Sequence, residues 1–366
     1  MMILGVSSIT PAFPKMIQEM NLSPKSIGLL VTLFTLPGVI LTPILGVLAD
    51  RFGRKKVLVP ALLSFGLFGG ACGLVHDFNL LLALRFLQGA GAASLGVINL
   101  TLIGDLYQGQ KRAAAMGYNS SVLSLGLTLY PTLGGSLAML GWHYPFFLPL
   151  LALPLGLAVI LVLKNPEPKQ SQQLKEYLVA TLSLFKQRQA LGLMAAGVGS
   201  FIIIYGPYIS FMPIFLADNF QAQPYLIGLV LSSASLTSAL VSSQLGRLVK
   251  IMPEKVILRT SFLLYVVATA AVPFVPKLWA MVFPSVLLGV AQGTNMPVIQ
   301  SLMTGLAPSQ NRAAFMSIHG MALRGGQTLG PLLMGAVFGW WGLNEVFYAG
   351  AILALGLAGL VALAIK

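Results

Sequence analysis

Residues 126–135 read Gly126-Leu-Thr-Leu-Tyr130-Pro131-Thr-Leu-Gly134-Gly135, and residues 326–335 read Gly326-Gln-Thr-Leu-Gly330-Pro331-Leu-Leu-Met-Gly335. Gly126, Leu129, Pro131, Leu133 and Gly135 recur as Gly326, Leu329, Pro331, Leu333 and Gly335, at an offset of 200 residues. The same offset, without a gap, lays Pro24, Ile27 and Gly28 on Pro224, Ile227 and Gly228. It lays Gly46 and Leu48 on Gly246 and Leu248, Gly89 on Gly289, and Arg112-Ala113-Ala114 on Arg312-Ala313-Ala314. A composition rich in Gly and Leu supplies some matches by chance. Ordered Pro and Arg matches are much harder to obtain that way. A self-match at a fixed offset marks a repeated unit, so the chain reads as two copies of one half.

Composition says what each half contains. Of 366 residues, 57% are hydrophobic and only 8% charged, with a mean hydropathy of +0.86. Soluble domains carry about 25% charged residues. So few charges could not keep a folded surface in water, and lipid is the expected solvent. The apolar runs are long and continuous rather than alternating, which selects helices over a barrel. Each spanning helix needs roughly 20 apolar residues. Runs between polar breaks predict spans at 1–17, 25–49, 57–75, 79–104, 113–138 and 144–163. The second set is 190–216, 225–247, 256–275, 278–304, 313–338 and 345–365.

The expected fold is an all-α polytopic membrane protein of two six-helix bundles. They are residues 1–163 and 189–366, with a polar cytoplasmic connector at 164–188. Six spans is an even number, so both halves have one orientation. This is the parallel-repeat architecture, with the binding site between the halves near mid-membrane. The offset also implies a truncated first helix, because its counterpart begins near residue 190. Sixteen or 17 residues cover only about 25 Å. Either the true start lies upstream, which is the expectation, or the protein tolerates a short first helix. No basic stretch precedes the first apolar run, so no removable signal peptide is expected.

The net charge of +13 raises the question of nucleic acid. Its placement argues otherwise. Seventeen of the 22 Lys and Arg fall in one alternating set of loops, including Arg51, Arg54, Lys111, Arg112, the connector and Arg312. The positive-inside rule then puts the connector and the C-terminus in the cytoplasm. The partners expected are a lipid bilayer and a small-molecule substrate, not nucleic acid, with the chain a monomer in the plasma membrane. The single cysteine, Cys72, excludes a disulfide within the chain.

The loop after the second span reads Gly46-Val-Leu48-Ala-Asp50-Arg51-Phe-Gly53-Arg54-Lys55-Lys56. It closely resembles the G-x-L-a-D-R-x-G-R-[KR] signature of the major facilitator superfamily. Arg85-Phe-Leu-Gln88-Gly89-Ala-Gly91-Ala-Ala resembles that family's motif in helix 4. Gly126 through Gly135 resembles its helix 5 motif, which is associated with the 12-helix drug:proton antiporter branch, although Tyr130 replaces a glycine. The resemblance covers nearly the whole chain. It implies the major-facilitator fold and transport by alternating access, with helices 1, 4, 7 and 10 around a central cavity. The second-half loop, Gly246-Arg-Leu248-Val-Lys250, has lysine where the motif has aspartate, so the gate is expected to be asymmetric.

The candidate gating residues are Gly46, Asp50, Arg51, Gly53 and Arg54. A carboxylate at Asp50 facing the N-terminus of the eleventh span would latch the halves, since a helix N-terminus favours negative charge. The bland alternative is that these basic residues only anchor the loop. The antiporter-motif candidates are Gly126, Pro131, Gly134 and Gly135. Substrate or coupling candidates are Arg85, Gln88, Asn99, Tyr205, Tyr208, Gln292, Asn295, His319 and Arg324. Arginines within spans face a bundle interior or a water-filled cavity and are functional by default. The alternative for Arg324 is a packing cation hydrogen-bonded to the Gly-rich backbone around Gly325 and Gly326, while Arg85, closer to the outer end, could partly snorkel. Gln88 and Asn99, three turns apart, are expected on one helix face. Gln292 with Asn295, and Tyr205 with Tyr208, are i, i+3 pairs. Each can equally serve as glue between helices. His319 could titrate near neutral pH or be a neutral hydrogen-bonding partner.

No catalytic, metal-ligating or phosphate-cradling pattern is found, so neither an enzyme nor a cofactor is expected. The energy source expected is an ion gradient, protons first. The favoured reading is proton-coupled efflux of small organic molecules or drugs. An organic-anion carrier using Arg85 and Arg324, and a transporter-like sensor without flux, are the alternatives.

Overall fold

The computed structural model describes residues 3–163, 187–306 and 312–364, with the side chains of Asp50 and Arg312 among those outside that description. The described residues form twelve helical segments and no strand. α1 (4–19) is a chain of Leu4–Ser7, a 3-10 turn at Thr10–Ala12 and Phe13–Glu19. α2 opens with Pro24–Ile27 and continues as Leu29–Phe52, and α3 is Arg54–Cys72. α4 is Phe78–Ala92 continued by Leu95–Leu106, α5 is Gly109–Leu140 and α6 is Tyr144–Val162. Then come α7 (Arg188–Phe220), α8 (Pro224–Ser243), α9 (Glu254–Ala271) and α10 (Leu278–Leu306). α11 (Arg312–Trp341) and α12 (Leu343–Ala364) end the chain. The predicted connector falls almost wholly outside the described residues.

Ten of these helices are long and apolar enough to cross a membrane. α1 is short. α11 has the length, but His319, Arg324, Gln327 and Thr328 break its apolar run. Local chemistry sets the helix ends. Gly53 has φ +100°, a conformation that a side chain disfavours, and it joins α2 to α3. Asp77 caps α4 by accepting from the Leu80 N–H at 2.7 Å. The first turns of α6, Tyr144–Leu151, are 3-10 rather than α.

Packing follows the repeat. α2 meets α4, α3 meets α4 and α6, and α1 meets α5 and α6. The counterparts, α8 with α10, α9 with α10 and α12, and α7 with α11 and α12, are all present. There are two apolar cores, one around Phe13, Phe65 and Phe146 that reaches Phe211 and Met334 of the second half, the other around Phe262, Tyr265 and Phe347. Large apolar side chains also lie outside, such as Leu161 and Val162 on α6 and Ile352 and Leu363 on α12. In lipid that surface is the low-energy one, because every backbone group is already bonded within a helix.

The halves join along two seams, α2 against α11 and α5 against α8, which the 200-residue offset interchanges. A Cβ added at Gly28 would lie 3.0 Å from Pro331 Cβ, and one added at Gly228 would run into the Pro131 carbonyl. Those two contacts are the same contact made twice. Both lie toward the end of the bundle away from the basic loops. At the basic end, a Cβ added at Gly46, Gly246 or Gly320 would meet open space. The seams are therefore zipped at the far end and parted at the basic end.

One sequence expectation fails here. Gln88 is fully buried while Asn99 is exposed. Residues 93–94 interrupt α4, so the helical phase that would align the two is not continuous.

Candidate functional site

At mid-depth the α2–α11 seam is polar. The Thr32 hydroxyl donates to the Thr328 carbonyl at 3.2 Å, and Thr35 and Thr328 hydroxyls meet at 2.9 Å. One turn toward the basic end, Arg324 crosses from α11 to the other half. Its guanidinium lies on Gly38 of α2 and donates to the Ala93 carbonyl of α4 at 3.3 Å. That carbonyl sits at the break in α4, where it also accepts from Thr42 at 2.9 Å. Arg324 is thus not on the glycine-rich backbone of its own helix, as the packing alternative supposed. It bridges the halves. A small cavity of about 10 Å³ remains beside it, lined by Val6, Phe34, Thr35, Tyr205 and Gln327. Tyr205 reaches this place from a π-helical stretch of α7, Ile204–Phe211, which contains Pro207. Such wide turns re-aim side chains and recur at functional sites.

The α5–α8 seam is held by a 2.7 Å bond between the Thr132 and Ser232 hydroxyls. Toward the basic end it opens into a cleft of about 150 Å³ between α5, α8 and α10. Ser124, Ser235, Ser238, Ser242 and Gln292 line it, with Met296 and Pro297 as its apolar wall.

The remaining candidates lie elsewhere. Arg85 is fully buried inside the first half. Its guanidinium donates to the Gly5 carbonyl at 2.8 Å, the Leu30 carbonyl at 3.2 Å and Gln88 Oε1 at 2.5 Å, and stacks 4.3 Å from the Phe34 ring centroid. It ties α1, α2 and α4 together. Asn295 does the same in the second half, accepting from Ser200 and donating to Ser261, both at 2.8 Å. Tyr208 donates to the α8 backbone at Val230 and Leu231. Asn99 donates to Asn119 at 2.6 Å on an exposed face. His319 is 1% exposed, against Gly197 of α7, and neither ring nitrogen has a partner among the described residues.

Two like halves with a polar seam between them match known proteins over the whole chain. The family description Major Facilitator Superfamily fits residues 1–215 and 205–366. The chain belongs to the Major Facilitator Superfamily. Quinolone resistance protein NorA of Staphylococcus aureus (strain COL) is 25% identical over 345 residues, 92% of this chain and 86% of that one. Multidrug resistance protein 1 of Bacillus subtilis (strain 168) is 25% identical over 358 residues, covering 97% and 91%. The Bacillibactin exporter of Bacillus subtilis (strain 168) is 32% identical over 195 residues, about half of each chain at 51% and 48%. Among solved structures, a bacterial homolog to the human lysosomal transporter Spinster superposes with a TM-score of 0.83 at 17% identity, covering 99% of this chain and 94% of that one. The nucleoside transporter NupG gives 0.82 at 15% identity, covering 100% and 96%.

The superfamily signature loop is where the resemblance put it, between α2 and α3. Asp50, its predicted latch, has its side chain outside the described residues. Arg51 is exposed, and Arg54 donates to Asp105 at the end of α4, 3.3 Å away. Asp105 was missed by the sequence reading, although it is the acid that ends the fourth span. Much of the helix 5 motif is packed against its neighbours. Gly134 lies against the Ser8 carbonyl of α1, while Pro131 and Gly135 lie against α8. Tyr130, which replaces the family's glycine, lays its ring over Gly126 one turn earlier. Ser235, Ser238 and Ser242 were missed too. Their i, i+3, i+7 spacing on α8 is the signal that could have found them.

Proposed function

We propose that this superfamily member is a secondary active transporter that exports small organic molecules in exchange for protons. The observation that carries this reading is the seam, zipped from Arg324 to the far end and parted at the basic end. A basic end facing the cytoplasm, as the positive-inside rule directs, makes this an inward-facing state with the C-terminus inside. Rocking the halves about the level of Arg324 would part the far end and close the basic one, delivering a solute outward. Relatives named for quinolone resistance, multidrug resistance and bacillibactin export support the direction and the solute class. The plasma membrane is the matching location.

Proton coupling needs a titratable group in the bundle. Among the described residues every Asp and Glu lies near a helix end. His319 is the buried candidate, about one and a half turns from Arg324 on α11. An anion carrier has less support, because Arg85 already holds three acceptors and an aromatic ring.

The test is flux in sealed vesicles with an imposed pH gradient, comparing a cationic dye with an organic anion in wild type and Arg324→Ala. Gradient-driven dye efflux is expected in the wild type. Anion flux that is lost in Arg324→Ala, with no dye flux in either protein, would reverse the choice of solute. No flux of any solute would leave the sensor reading in its place.

A further inference from the structure

The two cavities on the seams overlap under the repeat, with four of the eight residues that line the first having counterparts in the second. Adding 200 to Thr35 and Ala92, beside Arg324, gives Ser235 and Gln292 of the α5–α8–α10 cleft. Subtracting 200 from Arg324 and Gln327 gives Ser124 and Leu127 of that cleft. The groups that Arg324 touches translate as well. It lies on Gly38 and donates to the Ala93 carbonyl, and their counterparts Ser238 and Gly293 both line the cleft. Phe34 and Tyr205 of the first site have Ala234 and Gly5 at the counterpart positions, and beside them one further replacement bears directly on the difference. Arg324 extends into the first site and leaves about 10 Å³, whereas Ser124 stops short and leaves about 150 Å³.

The open copy is lined by groups that can both accept and donate, with Ser242 already donating to the Ala239 carbonyl. Serine hydroxyls and the Gln292 amide carry lone pairs and no fixed charge. Pro297 has no N–H, so it cannot serve the Gly293 carbonyl four residues before it in α10. That carbonyl is the counterpart of the one that holds Arg324. A guanidinium presents five N–H donors in one plane, and it is the group already accommodated in the twin.

We propose that the α5–α8–α10 cleft binds a guanidinium or amidinium group, and that Arg324 is the tethered occupant of its twin. The inference rests on the transport reading only in placing the cleft on a solute's route. The chemistry of the cleft stands without it.

The experiment titrates the purified full-length chain in detergent with benzamidinium chloride, using benzamide as the uncharged control, by calorimetry. Saturable 1:1 binding is expected, with benzamide at least about tenfold weaker, the effect of losing one charge-assisted hydrogen bond. Ser124→Arg fills the cleft and should weaken benzamidinium by more than about tenfold. Ser238→Leu blocks the same cleft by shape and covers the case in which Ser124→Arg fails to fold. Arg324→Ser reopens the twin and should bind a second equivalent. Absence of saturable binding overturns the proposal, and so does binding that every folded cleft variant leaves unchanged. Dye efflux in vesicles is measured beside it. Efflux without benzamidinium binding overturns the site alone, while cleft-dependent binding without flux supports the site and overturns the transport reading.

Discussion

Arg85 and Arg324 are both arginines inside spans, yet the structure uses them differently. Arg85 is closed in by three acceptors and a ring within one half. Two of these bonds, to Gly5 and Leu30, run between helices, and an interhelical bond in a membrane contributes about 0.6 kcal/mol on average, with about 1.7 near the maximum. Lysine cannot present donors in three directions from one plane. Arg85→Lys should therefore lose two of the three bonds and cost about 1–3 kcal/mol. The check is thermal unfolding of the purified protein in detergent, where a lowered midpoint is expected and an unchanged one would remove the strut role. Arg324 has a single described bond to the opposite half, so its loss should act on the seam more than on either core. None of this was legible from residue type. Both arginines sit in glycine-rich motifs, and apart from Gln88 their hydrogen-bond partners are backbone carbonyls, which any sequence supplies. What separates them is which helix lies opposite, and that is decided by tertiary packing.

At the scale of elements, most spans were readable because their apolar runs match the thickness of the bilayer and end at charge, Gly or Pro, whereas α1 is short and polar residues break α11. The break in α4 was not. Ala92-Ala93-Ser94-Leu95 carries no Pro and no charge, and the interruption shows only where the Ala93 carbonyl turns to Thr42 and Arg324. That break also dissolved the expected Gln88–Asn99 face. The seams were legible in part, since Gly28 and Gly228 are among the repeat's matched glycines. Small residues at helix contacts allow backbones to approach in lipid, where no hydrophobic force drives helices together. The two copies are not equally tight. A Cβ at Gly28 meets Pro331 Cβ at 3.0 Å, which a small shift of α11 relieves. At Gly228 it meets the Pro131 carbonyl inside van der Waals contact. Gly228→Ala should thus impair flux and folding yield more than Gly28→Ala, by roughly 1–3 kcal/mol of overpacking. Equal effects in paired dye-efflux and thermal-unfolding measurements would count against the seam geometry.

At the scale of the molecule, the far end closes through backbone contacts while the basic end stands open, and the two cannot be closed together if the halves move as rigid bodies. Transport then requires the far-end contacts to break in every cycle. The chain allows a clean test, because its one cysteine, Cys72, is fully buried at the end of α3. A Cβ at Gly335 would lie 3.2 Å from the Lys25 carbonyl, so the two positions are neighbours across the far-end seam. The double variant Lys25→Cys/Gly335→Cys should cross-link on oxidation, stop dye efflux, and recover on reduction. Gly46→Cys, with nothing within 4 Å of its Cβ, should react readily with a water-soluble maleimide applied from the side of the basic loops. Combining the three substitutions joins the two ends. With the far end locked, labelling at position 46 should persist or rise, because closure of the basic end is no longer reached. Efflux at an undiminished rate in the oxidised protein would mean that the far end does not part during transport. Falling label at position 46 would mean that the two ends move independently, and the rigid rocking of two like halves would have to be given up.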